Sequence, residues 1–218
     1  LAYSESRRVS VEKGGGVEAE TWSSNQRFWR SRDQRCTKNN RYFRTVRGPG
    51  VRGFAVQEFD PDFLKSLLEN PDSPFDDPRN RKRKDSRSST VVELNVPTPS
   101  GLRTMIFKRF RVTKRSDGLA NLFRPSPTLR SWRFGHGLPD RGLPTPRPWL
   151  VFHRRRYGLS WEGYLLCEKI EEARELQDRV RESTPSARGD LIDRLARLIR
   201  RLHQSGLSHR DLKASNLL

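Results

Sequence analysis

His209-Arg210-Asp211-Leu212-Lys213-Ala214-Ser215-Asn216, followed only by Leu217-Leu218, is the stretch on which the reading of this chain turns. Four residues separate Asp211 from Asn216, enough for one backbone turn to aim both side chains at the same phosphate. A carboxylate placed there can accept or orient the proton of an attacking hydroxyl, and an amide oxygen can hold a divalent cation. Phosphoryl transfer asks little more of a protein than such positioning and charge neutralisation. A polar turn that ends a helix is the plainer reading of the same residues.

The segment just upstream favours the chemical reading. Leu191, Ile192, Leu195, Leu198, Ile199 and Leu202 repeat at helical spacing, a stripe wide enough to face a core. Thr184-Pro185 is a natural start and Gly206 a natural stop. A long helix, a short link from Leu202 to Ser208, then His-Arg-Asp is the order in kinase-like folds. The motif itself matches the H-R-D-L-x-x-x-N catalytic-loop pattern.

The 218 residues carry a formal net charge of +18, from 44 Lys and Arg against 26 Asp and Glu. Such a field attracts phosphate of any kind, so charge alone does not choose between nucleotide, nucleic acid and lipid headgroup. Cys36 and Cys167 stand far apart without a C-x-x-C pairing, which excludes a disulfide framework or cysteine metal site from the expectations and makes a reducing compartment the default. No apolar run approaches the ~18 residues of a membrane-spanning helix.

Residues 1–40 are rich in Ser, Gly, Arg and Glu and read as a basic, disordered arm. Residues 41–78 form an N-terminal extension, with short strands at 42–46 and 54–59. Asp60-Pro61 then opens a helix that carries Phe63, Leu64, Leu67 and Leu68 and ends at Asn70-Pro71. The link from Pro71 to Pro78 leads to the basic run Arg79–Lys84, which reads as a solvated segment or an anion-binding patch. Residues 90–96 and 102–110 form a hairpin. Alternation places Val92, Leu94 and Val96 on one face, and Ile106, Lys108 and Phe110 together on one face of the partner strand. An ammonium among apolar neighbours should meet an anion, and Met105-Ile106-Phe107-Lys108 occupies the place of the V-A-I-K lysine that grips nucleotide phosphates. An edge lysine reaching water is the alternative. Asp85-Ser86-Arg87-Ser88-Ser89 stands where a glycine-rich loop would. It contains no glycine, but Ser88, Ser89 and Arg87 could still offer N–H groups and charge to phosphates. Ser126-Pro127 opens a weak helix with Leu129 and Trp132 inward, its pattern fading at Gly135 and Gly137. A stiff Pro-rich connector follows, then strands at 149–152 and 163–170 and a short helix over 171–180.

Three stretches resemble the lipopolysaccharide kinase (Kdo/WaaP) family: Lys108-Arg109-Phe110, Gly142-Leu143-Pro144-Thr145-Pro146-Arg147-Pro148, and Leu202 through Lys213. These are bacterial kinase-like enzymes that phosphorylate inner-core sugars of lipopolysaccharide from the cytoplasmic side with ATP. The resemblance covers about residues 79 to 218. It implies that Lys108 binds ATP phosphates, Asp211 is the catalytic aspartate, Lys213 neutralises the transferred group, and Asn216 holds Mg2+. It also implies that Glu168-Lys169-Ile170 is the hinge meeting adenine, with Glu168 and Ile170 flanking it. Two departures stand out. The helix glutamate that usually pairs with the strand lysine has no match, Ser131 standing near its place, and a second metal-binding aspartate, if there is one, would fall beyond Leu218.

The expectation is therefore an α+β chain: a protein-kinase-like small lobe and hinge over 79–170, and the beginning of a helical large lobe over 171–218. Its intact parent would be an ATP- and Mg2+-dependent phosphotransferase acting on a lipopolysaccharide sugar. The chain itself would be a C-terminally truncated fragment, inactive alone. A Ser/Thr protein kinase or a catalytically dead, kinase-like binding module are the competing readings; nucleic acid is not the expected partner. Cytoplasmic location follows, with peripheral attachment to the anionic inner-membrane surface.

Overall fold

A computed structural model describes residues 27–111, 125–156 and 159–207. Seven antiparallel strands form one sheet, in the order β1 (Phe43–Gly48), β2 (Val51–Val56), β6 (Pro148–Arg156), β7 (Leu159–Glu168), β5 (Gly101–Arg111), β4 (Ser89–Thr98) and β3 (Arg81–Asp85). The helices are α1 over 27–34, α2 (Pro61–Glu69), α3 (Ser73–Asp76), α4 (Pro127–Asp140), α5 (Leu176–Glu182) and α6 (Pro185–Gln204). The fold is α+β, as expected: a meander β3-β4-β5, a helix, and a hairpin β6-β7 that returns beside β5. That order is consistent with a kinase-like small lobe.

Strand alternation gives the sheet two unlike faces. On the face covered by α2 and α3, Val92, Leu94, Val96, Met105 and Phe107 are buried beside Tyr164, Leu166, Leu150 and Phe152. Phe75 of α3 stacks on Phe107 at 5.1 Å, and Phe152 stacks on Tyr164 at 4.7 Å. The opposite face receives α4 over β6 and β7. The Thr128 side chain lies where a Cβ on Gly163 would fall, and His153 Nε2 sits 2.6 Å from Ser126 Oγ.

Local signals set the helix ends. Asp60 accepts from the Phe63 N–H at 2.8 Å with Pro61 in the first turn, and Ser126 accepts from the Leu129 N–H at 3.0 Å. Thr184 caps α6. At the other end Gly206 takes φ +70, and the Leu207 N–H reaches back to the Leu202 carbonyl at 3.2 Å.

The structure departs from the sequence reading in several places. Arg81–Asp85, which overlaps the basic run expected as a solvated segment or an anion-binding patch, is an exposed edge strand with an irregularity between Lys82 and Lys84. A strand of charged residues blunts an edge against pairing with other chains. The link from Pro71 to Pro78 contains α3. Helix α4 does not fade at its glycines, because each makes room for a close neighbour: Gly135 for the Pro148 ring, Gly137 for Asp33 and Arg141. The short helix starts at Leu176 instead of 171, after Glu172 takes the left-handed φ of 55. The arm expected over residues 1–40 is described from residue 27. There α1 and the following turn dock on α4: Arg141 grips Asp33 through two hydrogen bonds, and Asp140 accepts from Arg32 and Arg35.

Asp72, at the start of α3, ties that helix to the sheet. Its carboxylate accepts from Arg109 at 2.7 Å, Arg154 at 2.8 Å and the Tyr164 hydroxyl at 2.9 Å. Burial works to raise its pKa, but the hydrogen bonds from Arg154, Arg109 and Tyr164 outweigh it and hold the carboxyl below its ordinary value. Asp72→Ala should cost about 2–3 kcal/mol in urea denaturation, below the range for fully buried pairs because the site is partly open to water. A loss under about 0.5 kcal/mol would mean that water replaces the carboxylate.

Candidate active site

Lys108 stands on the α4 face of β5, with Ile106 and Phe110 on either side of it in the alternation, as expected. Its cross-strand neighbours are Val91 and Leu165. Cys167 shares the face: burial raises its thiol pKa, and the Lys108 charge works against that rise. Among the described residues Lys108 has no hydrogen bond or ion pair. Helix α4 lies over β6 and β7 and brings no carboxylate to Lys108; its only acid, Asp140, is held by Arg32 and Arg35. Glu93 lies on the same face but is engaged by Arg83 at 2.6 Å and Lys169 at 3.8 Å.

Two backbone features bracket this ammonium. The β3–β4 turn lies two residues along the strand, since Ser89 pairs with Phe110 and Val91 with Lys108. At about 3.4 Å per residue that is about 7 Å. The end of β7 lies three residues the other way, Met105 pairing with Glu168 and Lys108 with Leu165, or about 10 Å. The turn, the lysine and the strand end thus lie in a row along the direction of β5.

The site residues singled out from sequence fare differently. Arg87 and Ser88 are exposed at the tip of the turn. Ser89 is buried, and its N–H and carbonyl are both bound to Ser86, so it holds the turn together instead of facing outward. The Glu168 side chain accepts from Trp149 Nε1 at 3.0 Å and faces Arg103 at 3.6 Å, and its N–H binds the Arg147 carbonyl. Ile170 is 44% exposed just past the strand. Asp211, Lys213 and Asn216 lie outside the described residues. Sequence reading missed the Arg83–Glu93–Lys169 bridge, which joins the edge strand to the strand end. The Glu93 carboxylate among Val91, Val92 and Leu94 was its one visible sign.

Comparison with known proteins adds what geometry alone does not. Residues 116–218 match the model of the lipopolysaccharide kinase (Kdo/WaaP) family. That part of the chain is similar to the Kdo/WaaP kinases. The matched stretch takes in α4, the β6–β7 hairpin, α6 and the His209–Asn216 motif, and begins after Lys108. A 3-deoxy-D-manno-octulosonic acid kinase of Stenotrophomonas maltophilia (strain R551-3) is 38% identical over 100 residues, 44% of this chain and 39% of that protein. The enzyme of the same name from Xanthomonas campestris pv. campestris (strain B100) is 38% identical over 91 residues, 42% of this chain and 35% of the relative. One from Xanthomonas oryzae pv. oryzae (strain PXO99A) is 37% identical over 91 residues. The matches thus span little more than a third of these Kdo/WaaP relatives' length.

Proposed function

We propose that the intact protein is an ATP-dependent kinase that transfers the γ-phosphoryl group to a sugar hydroxyl of the lipopolysaccharide inner core, of the 3-deoxy-D-manno-octulosonic acid type named in its relatives. The observation that carries this reading is the Lys108 ammonium, which has no hydrogen bond or ion pair among the described residues. It sits on an open sheet face between an exposed turn and a strand end, in a chain whose C-terminal part matches the family. A cation among apolar neighbours, unpaired among the described residues, fits a phosphate ligand.

In this reading Lys108 holds the phosphates, with Arg87 and the N–H groups of the turn beside it. The backbone at Glu168–Ile170 meets the base, and Ile106 offers it an apolar surface. Asp211 orients the attacking sugar hydroxyl and takes its proton, and Lys213 offsets charge on the transferred group. Mg2+ would supply charge neutralisation at the phosphates, and Asn216 is the residue of this chain suited to hold it. The net charge of +18 suits work at an anionic membrane surface, where the acceptor glycolipid sits; none of the described helices is long and apolar enough to cross a membrane.

In the full-length protein, Asp211→Ala should lower turnover on a Kdo-terminated acceptor by about 10²–10⁴-fold, the usual weight of a positioned acid–base group. Undiminished turnover would remove Asp211 from the mechanism. Phosphorylation of a protein acceptor in preference to the sugar would replace the acceptor class.

A further inference from the structure

Helices α1 and α4 flank a half-open hollow of about 220 Å3 on the side of α4 turned away from the sheet. Each contributes residues at i, i+3 and i+4: Arg30, Asp33 and Gln34 from α1, Arg130, Arg133 and Phe134 from α4. The spacing puts all six on the facing sides of the two helices. Three guanidinium groups thus share the hollow with one carboxylate.

That carboxylate is already engaged. Asp33 accepts from Arg141 at 2.7 and 2.9 Å, so its charge is matched outside the arginine trio. Arg30, Arg130 and Arg133 make no hydrogen bond or ion pair among the described residues. Arg133 is the telling member, since its Nε is buried without a partner. Arg35, Arg44, Arg109 and Arg141 also bury a bare Nε, but each places a terminal nitrogen on an oxygen: Asp140, the Phe59 carbonyl, Asp72 and Asp33. Arg133 does not. Unmatched buried donors mark a place for a missing acceptor. Phe134, 43% exposed, adds an apolar wall.

We propose that this hollow is a phosphate-binding site, separate from the Lys108 face, for a phosphate ester carrying a small polar group. Guanidinium forks match phosphate oxygens in pairs. The volume corresponds to about seven waters, more than a bare anion fills. A soluble sugar phosphate and the headgroup of an anionic lipid share this chemistry. The site stands on its own observations and holds whether or not Lys108 binds ATP.

The test is to titrate the 218-residue chain with glucose 1-phosphate, and separately to sediment it with phosphatidylglycerol or phosphatidylcholine vesicles. The double variant Arg130→Gln/Arg133→Gln is compared with Arg81→Gln/Lys84→Gln, which removes the same two charges from the exposed edge strand. The first should weaken glucose 1-phosphate or phosphatidylglycerol binding at least tenfold, the second less than twofold. Loss confined to glucose 1-phosphate assigns a soluble ligand; loss confined to phosphatidylglycerol assigns a lipid headgroup. Arg133→Gln alone should leave the melting temperature unchanged, because this side chain has no hydrogen bond or ion pair among the described residues to lose. Equal losses in the two double variants, or binding of neither phosphate probe, would overturn the site and show only diffuse surface charge.

Discussion

Trp132→Ala should destabilise the chain by about 3–5 kcal/mol, the usual cost of deleting a fully buried large aromatic side chain. Trp132 is 0% exposed on α4. It meets the edges of Phe43 at 5.9 Å and His136 at 4.4 Å, and its indole N–H donates to the Cys36 carbonyl at 2.9 Å. The one side chain therefore joins α4 to β1 and to the turn after α1. Trp132→Phe keeps much of the packing but strands the Cys36 carbonyl, and should cost about 1–3 kcal/mol. Urea denaturation of the three proteins gives the comparison. Equal small losses would mean that α4 is not anchored through this residue.

Acidification should act through two histidines. Burial, then the Arg147 charge, pushes the His136 pKa down to about 3. Burial, then Arg155, pushes His153 down to about 4. Both imidazoles are therefore neutral in the fold, whereas an unfolded chain takes up protons near pH 6.5. Below that value the unfolded state binds protons the folded state refuses, so stability is full above pH 6.5 and falls as the pH drops toward 4. At pH 5 each histidine should cost about 2 kcal/mol, about 4 kcal/mol together. His153→Gln should remove about half of the slope between pH 6.5 and 5. A flat profile over that range would show that both rings accept protons within the fold.

What the sequence revealed depended on whether the information was local. The α2 start, the α6 start and stop, and the face shared by Ile106, Lys108 and Phe110 follow from neighbouring residues, and they were legible. Strand β3 was not, because five charged residues carry no alternation; the strand exists because β4 offers an edge to pair with. Asp72 looked like an ordinary residue of a Pro-rich link. Its partners Arg109, Arg154 and Tyr164 become neighbours only when the sheet is assembled. Gly135 and Gly137 read as helix breakers, although each is there for a neighbour that local sequence does not announce. The arginine hollow was hidden for the same reason: Arg30 and Arg133 are a hundred positions apart, in a chain with 44 basic residues. The candidate site was half legible. Lys108 and the turn were placed by pattern, while the exposure of Ser88 and the inward ties of Ser89 depend on how the turn closes.

The central claim is that Lys108 is a nucleotide-phosphate ligand and not a spare surface lysine. Calorimetric titration of ATP into the 218-residue chain and into Lys108→Met tests it most directly, since methionine keeps most of the aliphatic stem and removes the charged head with its N–H donors. A charge-assisted hydrogen bond contributes about 1.5–3 kcal/mol, so the account predicts an affinity about ten- to a hundredfold lower for Lys108→Met, with an unchanged melting temperature. Equal ATP affinity in the two proteins would contradict it.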